Sequence, residues 1–291
     1  MRAYAEYQAM IEAALPVQLA SLGCIPEPLR KAMAYSLEAG GKRLRPVLLL
    51  ASCEMAGGSI EEAMPFACGL EMIHTYSLIH DDLPAMDNDD LRRGKPTNHK
   101  VFGEAMAILA GDGLLSAAGE LMLRAAVKMG DLRGTRAAEA ILRRAGVTGM
   151  IAGQTMDVTG EGSEPTVDKV AYIHLHKTAD LLTAPIEAGL LLAGATDAQV
   201  AAGVAYGQHL GLAFQMVDDV LDVQGDKALL GKTTGKDAAQ GKLTWVAVRG
   251  LEGAREDACE QVRLAVEALN ALNMDTNFLK TLAQSTLNRV Q

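Results

Sequence analysis

The chain has 291 residues, of which 49% are hydrophobic and only 4% are aromatic. This composition is rich in helix formers and poor in the residue types that strands favour, so it excludes an all-β fold. The formal charge of -9 argues against a broad surface for the phosphate backbone, and no nucleic-acid partner is expected.

Helical periodicity recurs along the chain, so we predict an all-α fold with one domain over residues 1–291. Gly40 and Gly41 can end a helix, and Pro46 suits the first turn of the next one. In chain order, the predicted helices cover residues 6–22, 27–39, a third from about 46, then 61–82, 104–129, 133–158, 167–193, 197–223, 253–270 and 275–289. The least regular stretches, 83–103 and 224–242, each follow an aspartate cluster.

Several features bear on where the protein works. The N-terminal sequence has acidic residues and no apolar h-region, so no signal peptide is expected. The uncharged stretch 198–217 could span a bilayer by length, but its glutamines and histidine favour a buried core helix, and no transmembrane segment is predicted. Four cysteines without disulfide-like spacing are interpreted as buried thiols in a reducing, cytoplasmic compartment: Cys24, Cys53, Cys68 and Cys259.

The first aspartate cluster, residues 80–90, ends an apolar predicted helix. Pro84 prevents an ordinary continuation of that helix, so Asp81 and Asp82 are expected on its last turn and Asp87 beyond it. Negative charge is unfavourable at a helix C-terminus, and the helix is apolar enough to be buried. A cation is therefore expected to compensate these carboxylates.

The second cluster closes the predicted helix 197–223. The i to i+4 spacing places Asp218 and Asp222 on one face, one turn apart, where their oxygens can share a cation. Mg²⁺ is commonly held by one or two carboxylates, with water and substrate phosphates as its other ligands. Two such clusters facing each other would form a cavity for magnesium and a phosphorylated substrate.

Basic residues complement the two acidic clusters. Three of them follow a glycine pair at a predicted helix N-terminus, where free N–H groups favour an anion, although the P-loop pattern is absent. In chain order, the three basic groups are Lys42, Arg43 and Arg45; Arg92, Arg93 and Lys95; and Lys177 with Lys232, Lys236 and Lys242.

Several motifs resemble those of the trans-prenyl diphosphate synthases. DDLPAMDNDDLRRG at 81–94 is similar to the family's first aspartate-rich motif, and FQMVDDVLD at 214–222 is similar to the second. Further landmarks of the family occur in the same order: GGKRLRP, His74 of EMIHTYSLIHDD, GQTMD, the KT pair and GKTTGKD. The resemblance covers about residues 35–255. Four residues between the paired and final aspartates of the first motif are typical of the bacterial-type farnesyl branch.

The resemblance implies a fold and a reaction. The fold would be a single helical bundle of the isoprenoid synthase type around a deep central cavity, usually in a homodimer. The reaction would condense isopentenyl diphosphate head to tail with an allylic diphosphate, dimethylallyl or geranyl, through a carbocation, releasing pyrophosphate. The product would be farnesyl diphosphate, with the geranyl (C10) and geranylgeranyl (C20) products left open.

The resemblance also assigns residues. Three Mg²⁺ ions would be held by Asp81, Asp82, Asp87, Asp218 and Asp222. The allylic diphosphate would contact Arg92, Lys177 and Lys232, with Thr178 and Gln215 lining the site, and the diphosphate of isopentenyl diphosphate would contact Lys42, Arg45, His74 and Arg93. Six residues are expected to carry catalysis: Asp81, Asp87, Arg92, Lys177, Asp218 and Lys232.

Chain length would be set near Tyr76 and Ser77, which precede Asp81 by five and four residues. A bulky residue at the Tyr76 position resembles the floor that stops growth near C15. Trp245 departs from the family pattern, which has tyrosine there, and the tail after Asn273 is hard to match.

Three other functions remain open. A terpene cyclase would not need a second set of diphosphate ligands, and a non-catalytic partner subunit should have lost one aspartate cluster. An inactive helical protein would leave two buried acidic helix ends unexplained.

Overall fold

A computed structural model describes residues 1–224 and 242–288 of the chain. Contacts divide the chain into two compact units: a first unit of Met1–Glu139 with Leu191–Gly194, and a second unit of Ala140–Leu190 with Ala195–Gln291. The expectations of one domain over 1–291 and of a deep central cavity stay predictions.

The first unit is built from helices and one short hairpin. Its elements are α1 (Tyr4–Ala20), α2 (Glu27–Leu37), α3 (Leu44–Met55), α4 (Ile60–Asp81), β1 (Leu91–Arg92), β2 (Lys95–Pro96), α5 (Asn98–Phe102), α6 (Glu104–Met129) and the start of α7 (Leu132–Ala145). The two strands are antiparallel, with Leu91 opposite Pro96. The hairpin lies in the irregular stretch 83–103, directly after the first aspartates.

The described part of the second unit is helical. Its elements are the end of α7, α8 (Met150–Gly160), α9 (Val167–Ile173), a π-helical segment (His174–Ala179), most of α10 (Asp180–Leu192), α11 (Asp197–Gln224), α12 (Trp245–Ala268), a 3₁₀ turn (Leu269–Leu272) and α13 (Asn277–Leu287). Apolar side chains of α9, α11 and α12 form one buried core, which includes Val170, Val217, Val220 and Ala258. The predicted all-α class is therefore confirmed.

Small residues allow α4 and α6 to pack closely. A Cβ atom on Gly69 would lie 2.9 Å from Met122 Cγ, and one on Gly111 would lie 2.1 Å from His80 Nε2. The His80 ring instead fits against α6, with Nε2 3.1 Å from the Ile108 carbonyl oxygen. This contact fixes the end of α4, where the first aspartates begin.

Three predicted helices differ from the observed ones. The predicted helix 133–158 is two helices, because the chain breaks at Gly149, where a Cβ would lie 2.0 Å from the Arg144 carbonyl oxygen. The predicted helix 167–193 contains the π-helical segment. The predicted helix 253–270 begins earlier, at Trp245, and is kinked at Gly250, whose φ is 70°.

One described helix, α6, is long and apolar enough to cross a membrane by length and composition. Of its most apolar window, 44% is buried, and core helices of soluble proteins pass the same test. The stretch 198–217 lies in α11, where Tyr206, Leu210 and Ala213 are buried as expected for a core helix.

The prediction of four buried cysteines is half wrong. Cys53 and Cys68 are buried, whereas Cys24 and Cys259 are exposed, and all four are free thiols. Cys24 lies in the connection between α1 and α2, and Cys259 lies on the solvent face of α12.

Two glycine substitutions test the close packing. Gly153 in α8 has the Lys177 backbone nitrogen 2.1 Å from the position of a Cβ, whereas Gly119 in α6 has nothing within 4 Å. We expect Gly119→Ala to raise the free energy of unfolding by about 0.5–1 kcal/mol, because alanine is the better helix former. Gly153→Ala should lower it by about 1–3 kcal/mol through overpacking. Denaturant unfolding of both variants measures these changes, and a stabilising Gly153→Ala would contradict the observed packing.

Candidate active site

The first aspartate cluster forms a compact turn at the end of α4. Asp81 is the last helical residue and Asp82 is the C-cap. Beyond Pro84, the chain folds back, so that the Asp87 backbone N–H donates to the Asp81 carbonyl oxygen at 2.8 Å. The turn brings Asp87 back to the end of the helix, in agreement with the predicted placement of the three aspartates.

Asp82 is paired with Arg92 of β1. The Arg92 Nε donates to Asp82 Oδ1 at 2.7 Å and Oδ2 at 2.9 Å, and Nη2 lies 2.6 Å from Oδ1. Burial raises the pKa of Asp82, whose exposure is only 3%, and the Arg92 guanidinium opposes that rise. Arg92 therefore supplies part of the positive charge that the sequence predicted beside the first aspartates.

The loop of residues 40–43 carries the first basic group. Gly40 and Gly41 have φ values of 79° and 125°, and Arg43, the N-cap of α3, has a φ of 49°. Arg93 Nη1 donates to the Gly40 carbonyl oxygen. A Cβ on Gly41 would lie 2.7 Å from Arg93 Cζ, so only glycine allows the guanidinium to approach the loop.

His74 lies among arginines in the same unit. Arg45 Nη1 lies 3.2 Å from His74 Nε2. Burial, and next the charge of Arg45, lower the pKa of His74 well below its ordinary value. The imidazole is therefore neutral, and Nε2 can accept a hydrogen bond from Arg45 while Nδ1–H remains a donor.

A narrow cleft, partly open to solvent, lies beside these groups in the first unit. Asp82, Arg92 and Arg93 line it together with Thr75 and Asn98. Both arginines therefore border this cleft.

In the second unit, the π-helical segment presents Lys177 and Thr178. Lys177 Nζ is 2.5 Å from Oδ2 of Asp157, a buried residue of α8. Thr178 Oγ1 donates to Gln215 Oε1 of α11 at 2.8 Å. A π-helical turn contains one residue more than an α-helical turn, and such turns occur frequently at functional sites.

Asp219 is a structural residue that the sequence analysis did not single out. Its Oδ1 accepts from Gln215 Nε2 at 2.9 Å, and its Oδ2 accepts from the Trp245 backbone N–H at 2.6 Å and lies 3.2 Å from His174 Nε2. Because both oxygens are used, Asp219 holds Gln215 and the start of α12 in place. The adjacent aspartates lie on different sides of α11, and position 219 lies on the buried side, between Met216 and Val220.

Asp218 and Asp222 lie one turn apart on α11, as predicted, and Asp222 is 4% exposed. Over residues 1–224 and 242–288, no group of three or more His, Cys, Asp or Glu side chains is arranged to hold a metal by itself. A few carboxylate oxygens fit Mg²⁺, which keeps water and substrate phosphates as its other ligands. Lys232 and Lys236 lie outside the described residues.

The predicted site residues that the structure describes are divided between the two units. In the first unit they are Asp81, Asp82, Asp87, Arg92, Arg93, Lys42, Arg45 and His74, and in the second they are Lys177, Thr178, Gln215, Asp218 and Asp222. Sequence reasoning gave no role to Asp157 or Asp219. The signal for Asp157 was its place in the GQTMD motif, and the signal for Asp219 was its place beside Asp218.

Carboxylates beside paired cations in an all-α fold suit chemistry on phosphorylated substrates. Residues 26–277 match the polyprenyl synthetase family model, and the chain belongs to this family. It is a chain-elongating prenyltransferase, as the sequence motifs predicted.

Individual relatives agree with this assignment. The chain is 49% identical to the farnesyl diphosphate synthase of Geobacillus stearothermophilus over 86% of this chain and 84% of the relative. It is 48% identical to the large subunit 1 of the chloroplastic heterodimeric geranylgeranyl pyrophosphate synthase of Arabidopsis thaliana, over 86% of this chain and 69% of the relative. A crystal structure of a Helicobacter pylori geranyltransferase, complexed with magnesium and isoprenyl diphosphate, matches with a TM-score of 0.83 at 32% identity, covering 99% of this chain and 96% of that one.

The environment of His74 predicts a pH dependence of stability. Below about pH 6.5, the unfolded chain protonates this histidine, whereas the folded chain, in which its pKa is lowered, does not. Stability should therefore rise with pH from the lowered pKa up to about 6.5, and His74→Gln should make the rise shallower. Thermal unfolding of both proteins between pH 5 and 7.5 measures this slope. Equal slopes would contradict a neutral His74 in the folded chain.

Proposed function

We propose that the chain is a magnesium-dependent farnesyl diphosphate synthase, which condenses isopentenyl diphosphate with dimethylallyl and then geranyl diphosphate. Tyr76 carries the choice of a C15 product. It is 6% exposed and precedes Asp81 on α4 by five residues, or about 7.5 Å of helix. A chain whose diphosphate is held at the aspartates would meet this ring as it grows along α4.

The surroundings of Tyr76 support a rigid stop. Its ring packs edge-on against His80, with the centroids 5.8 Å apart. His80 in turn packs against α6, in the space left because Gly111 has no side chain. Burial, and then the charge of Asp81, raise the pKa of Tyr76 to about 12, so the ring is neutral. Ser77 turns its hydroxyl back onto the His74 carbonyl oxygen at 2.9 Å, which leaves Tyr76 as the bulky member of the pair.

A geranylgeranyl (C20) synthase is the second candidate, because relatives with that activity are 48% identical to the chain. A geranyl (C10) synthase and a non-catalytic synthase subunit are weaker candidates. The subunit is disfavoured because both aspartate clusters are complete, and a cyclase because the residues for a second diphosphate are present.

In the proposed mechanism, Asp81, Asp82, Asp87, Asp218 and Asp222 would hold three Mg²⁺ ions. Bound magnesium would supply positive charge that offsets the diphosphate and the departing pyrophosphate. Arg92, Lys177 and Lys232 would bind the allylic diphosphate, and Thr178 and Gln215 would line its site. Asp82 and Asp157 hold Arg92 and Lys177 in place before the substrate arrives. Such preorganised charge lowers the barrier to ionisation of the allylic C–O bond.

Isopentenyl diphosphate binds through Lys42, Arg45, His74 and Arg93 in this proposal. Neutral His74 accepts from Arg45, and this orients the guanidinium. The double bond of isopentenyl diphosphate attacks the allylic cation, and proton loss to the released pyrophosphate completes each cycle. The apolar faces of α4 and α6 exclude the water that would otherwise convert the cation to an alcohol.

We also propose that the protein is a cytoplasmic homodimer. Its support is the exposed apolar side chains of α6, where Ile108, Leu109, Leu123 and Val127 are 45–82% exposed. A second copy that covers this face would account for the apolar character of α6 without a membrane. Light scattering of the purified protein measures the oligomeric state.

Product analysis tests the proposed reaction. Purified protein, labelled isopentenyl diphosphate and a C5, C10 or C15 allylic diphosphate are incubated with Mg²⁺ or EDTA, and the dephosphorylated products are chromatographed. We expect Mg²⁺-dependent C15 from the C5 and C10 starters, with C15 itself inert.

Asp81→Asn should lower kcat by about a hundredfold or more, because it removes a proposed metal ligand. Asp90→Asn is the matched control, since Asp90 is exposed and pairs with Lys100. No elongation with any starter would contradict the proposal and favour the subunit.

Substitution of Tyr76 tests the product length separately. Tyr76→Ala should open the space beyond the ring and extend the main product to C20 or longer. Tyr76→Phe keeps the ring and should keep C15 as the product. Chromatography of products from the C10 starter measures both variants. An unchanged product from Tyr76→Ala would contradict the proposed role of Tyr76 in setting a C15 product.

A further inference from the structure

Helix α1 contacts the 40–43 loop through one of its faces. The helix precedes residues 26–277, the part of the chain that matches the family model. Tyr4, Gln8 and Glu12 follow one another at i, i+4 and i+8, so their side chains lie on the same side of the helix. Each of the three side chains binds a different residue of the loop.

The contacts follow the loop residue by residue. The Tyr4 hydroxyl donates to the Lys42 carbonyl oxygen at 2.5 Å, and Gln8 Nε2 donates to the Gly41 carbonyl oxygen at 2.9 Å. Glu12 Oε1 accepts from Arg43 Nε at 2.7 Å. Burial, and then the charge of Glu71, raise the pKa of Tyr4 to about 12, so its hydroxyl stays protonated and can donate.

The rest of the first unit holds the other side of the loop. Arg93 donates to the Gly40 carbonyl oxygen. The Arg43 side chain is fully buried, donating to Glu71 Oε1 and to the Leu37 carbonyl oxygen, each at 2.7 Å. The carbonyl oxygens of Gly40, Gly41 and Lys42 therefore each accept from a side chain of another element.

These carbonyl contacts set the direction of the loop amides. In a trans peptide the N–H points opposite to the preceding C=O. Because the Gly41 and Lys42 carbonyls point towards α1, the N–H groups of Lys42 and Arg43 point away from it. An anion on that side would meet amide hydrogens and no carbonyl oxygen from these two peptides.

The position of α1 is fixed independently of the loop. Tyr7, Ile11, Leu15 and Leu19 form its buried face. The Tyr7 hydroxyl also donates to Glu54 of α3. Tyr4 and Gln8 can therefore be changed without removing the side chains that dock the helix.

We propose that Tyr4 and Gln8 are positioning residues for the isopentenyl diphosphate site: from α1, they orient the loop that presents Lys42 and leads to Arg45. This inference rests on the proposed function, in which Lys42 and Arg45 bind that diphosphate. It adds a helix outside the matched family region to the machinery for the second substrate. Neither residue touches the substrate, and both act through the loop backbone.

The test uses the double variant Tyr4→Phe with Gln8→Met in the full chain. It removes two donors and keeps the side-chain volumes. Each hydrogen bond contributes modestly, so the KM for isopentenyl diphosphate should rise about tenfold. We expect kcat and the KM for the allylic diphosphate to change less than about twofold. Amide hydrogen exchange of peptides covering residues 40–43, measured without substrate, should become faster.

Matched variants separate the possible outcomes. Ala13→Gln alters an exposed residue of α1 outside the Tyr4, Gln8 and Glu12 face and should behave as wild type. Lys42→Ala tests the proposed function of the loop, because loss of a diphosphate ligand should raise the KM for isopentenyl diphosphate. The hydrogen-exchange measurement tests separately whether the contacts of α1 stabilise the loop. An unchanged KM and unchanged exchange in the double variant would overturn the inference. Equal increases in both KM values would also overturn it, because they would indicate general destabilisation.

Discussion

Charge compensation between buried groups is the constraint on which the candidate site depends. Asp82 is 3% exposed and tolerates this burial because Arg92 binds both of its oxygens. Lys177 is paired with buried Asp157, and buried Arg43 with Glu71. Removing one partner of such a pair is costly, since it leaves a buried charge uncompensated. The carboxylates thus hold the cations at fixed positions. In the proposed function, binding of a diphosphate would require little reorganisation of Arg92 and Lys177.

Much of this arrangement could be predicted from local sequence. Helical periodicity located most helices, and Pro84 placed Asp81 and Asp82 at the end of α4. The break at Gly149 and the π-helical segment could not be predicted, because they depend on close contacts with residues of other turns and helices. The pairing of Asp82 with Arg92 could not be predicted either, because it depends on the path of the hairpin that carries Arg92. The contacts of α1 with the 40–43 loop join residues 31–38 positions apart, and no helical or strand periodicity predicts such contacts.

Sequence identity places the chain in its family more firmly than it fixes the product. Farnesyl and geranylgeranyl synthases match it at 49% and 48% identity, a difference too small to decide between them. Product length depends instead on the size and rigidity of a few side chains. The Tyr76 ring, fixed by His80 and indirectly by Gly111, is such a local feature. In the proposed function, a single large-to-small exchange at Tyr76 would change the available length and leave most of the sequence identity unchanged.

The distribution of the thiols makes the native chain suitable for spectroscopy. Cys24 is exposed in the first unit and Cys259 is exposed in the second. Burial raises the pKa of both Cys53 and Cys68 to about 12, so these thiols stay protonated at neutral pH and react slowly. A pair of dyes can therefore be attached selectively at Cys24 and Cys259 without introducing new cysteines. Energy transfer between the dyes would then report the separation of the two units during turnover.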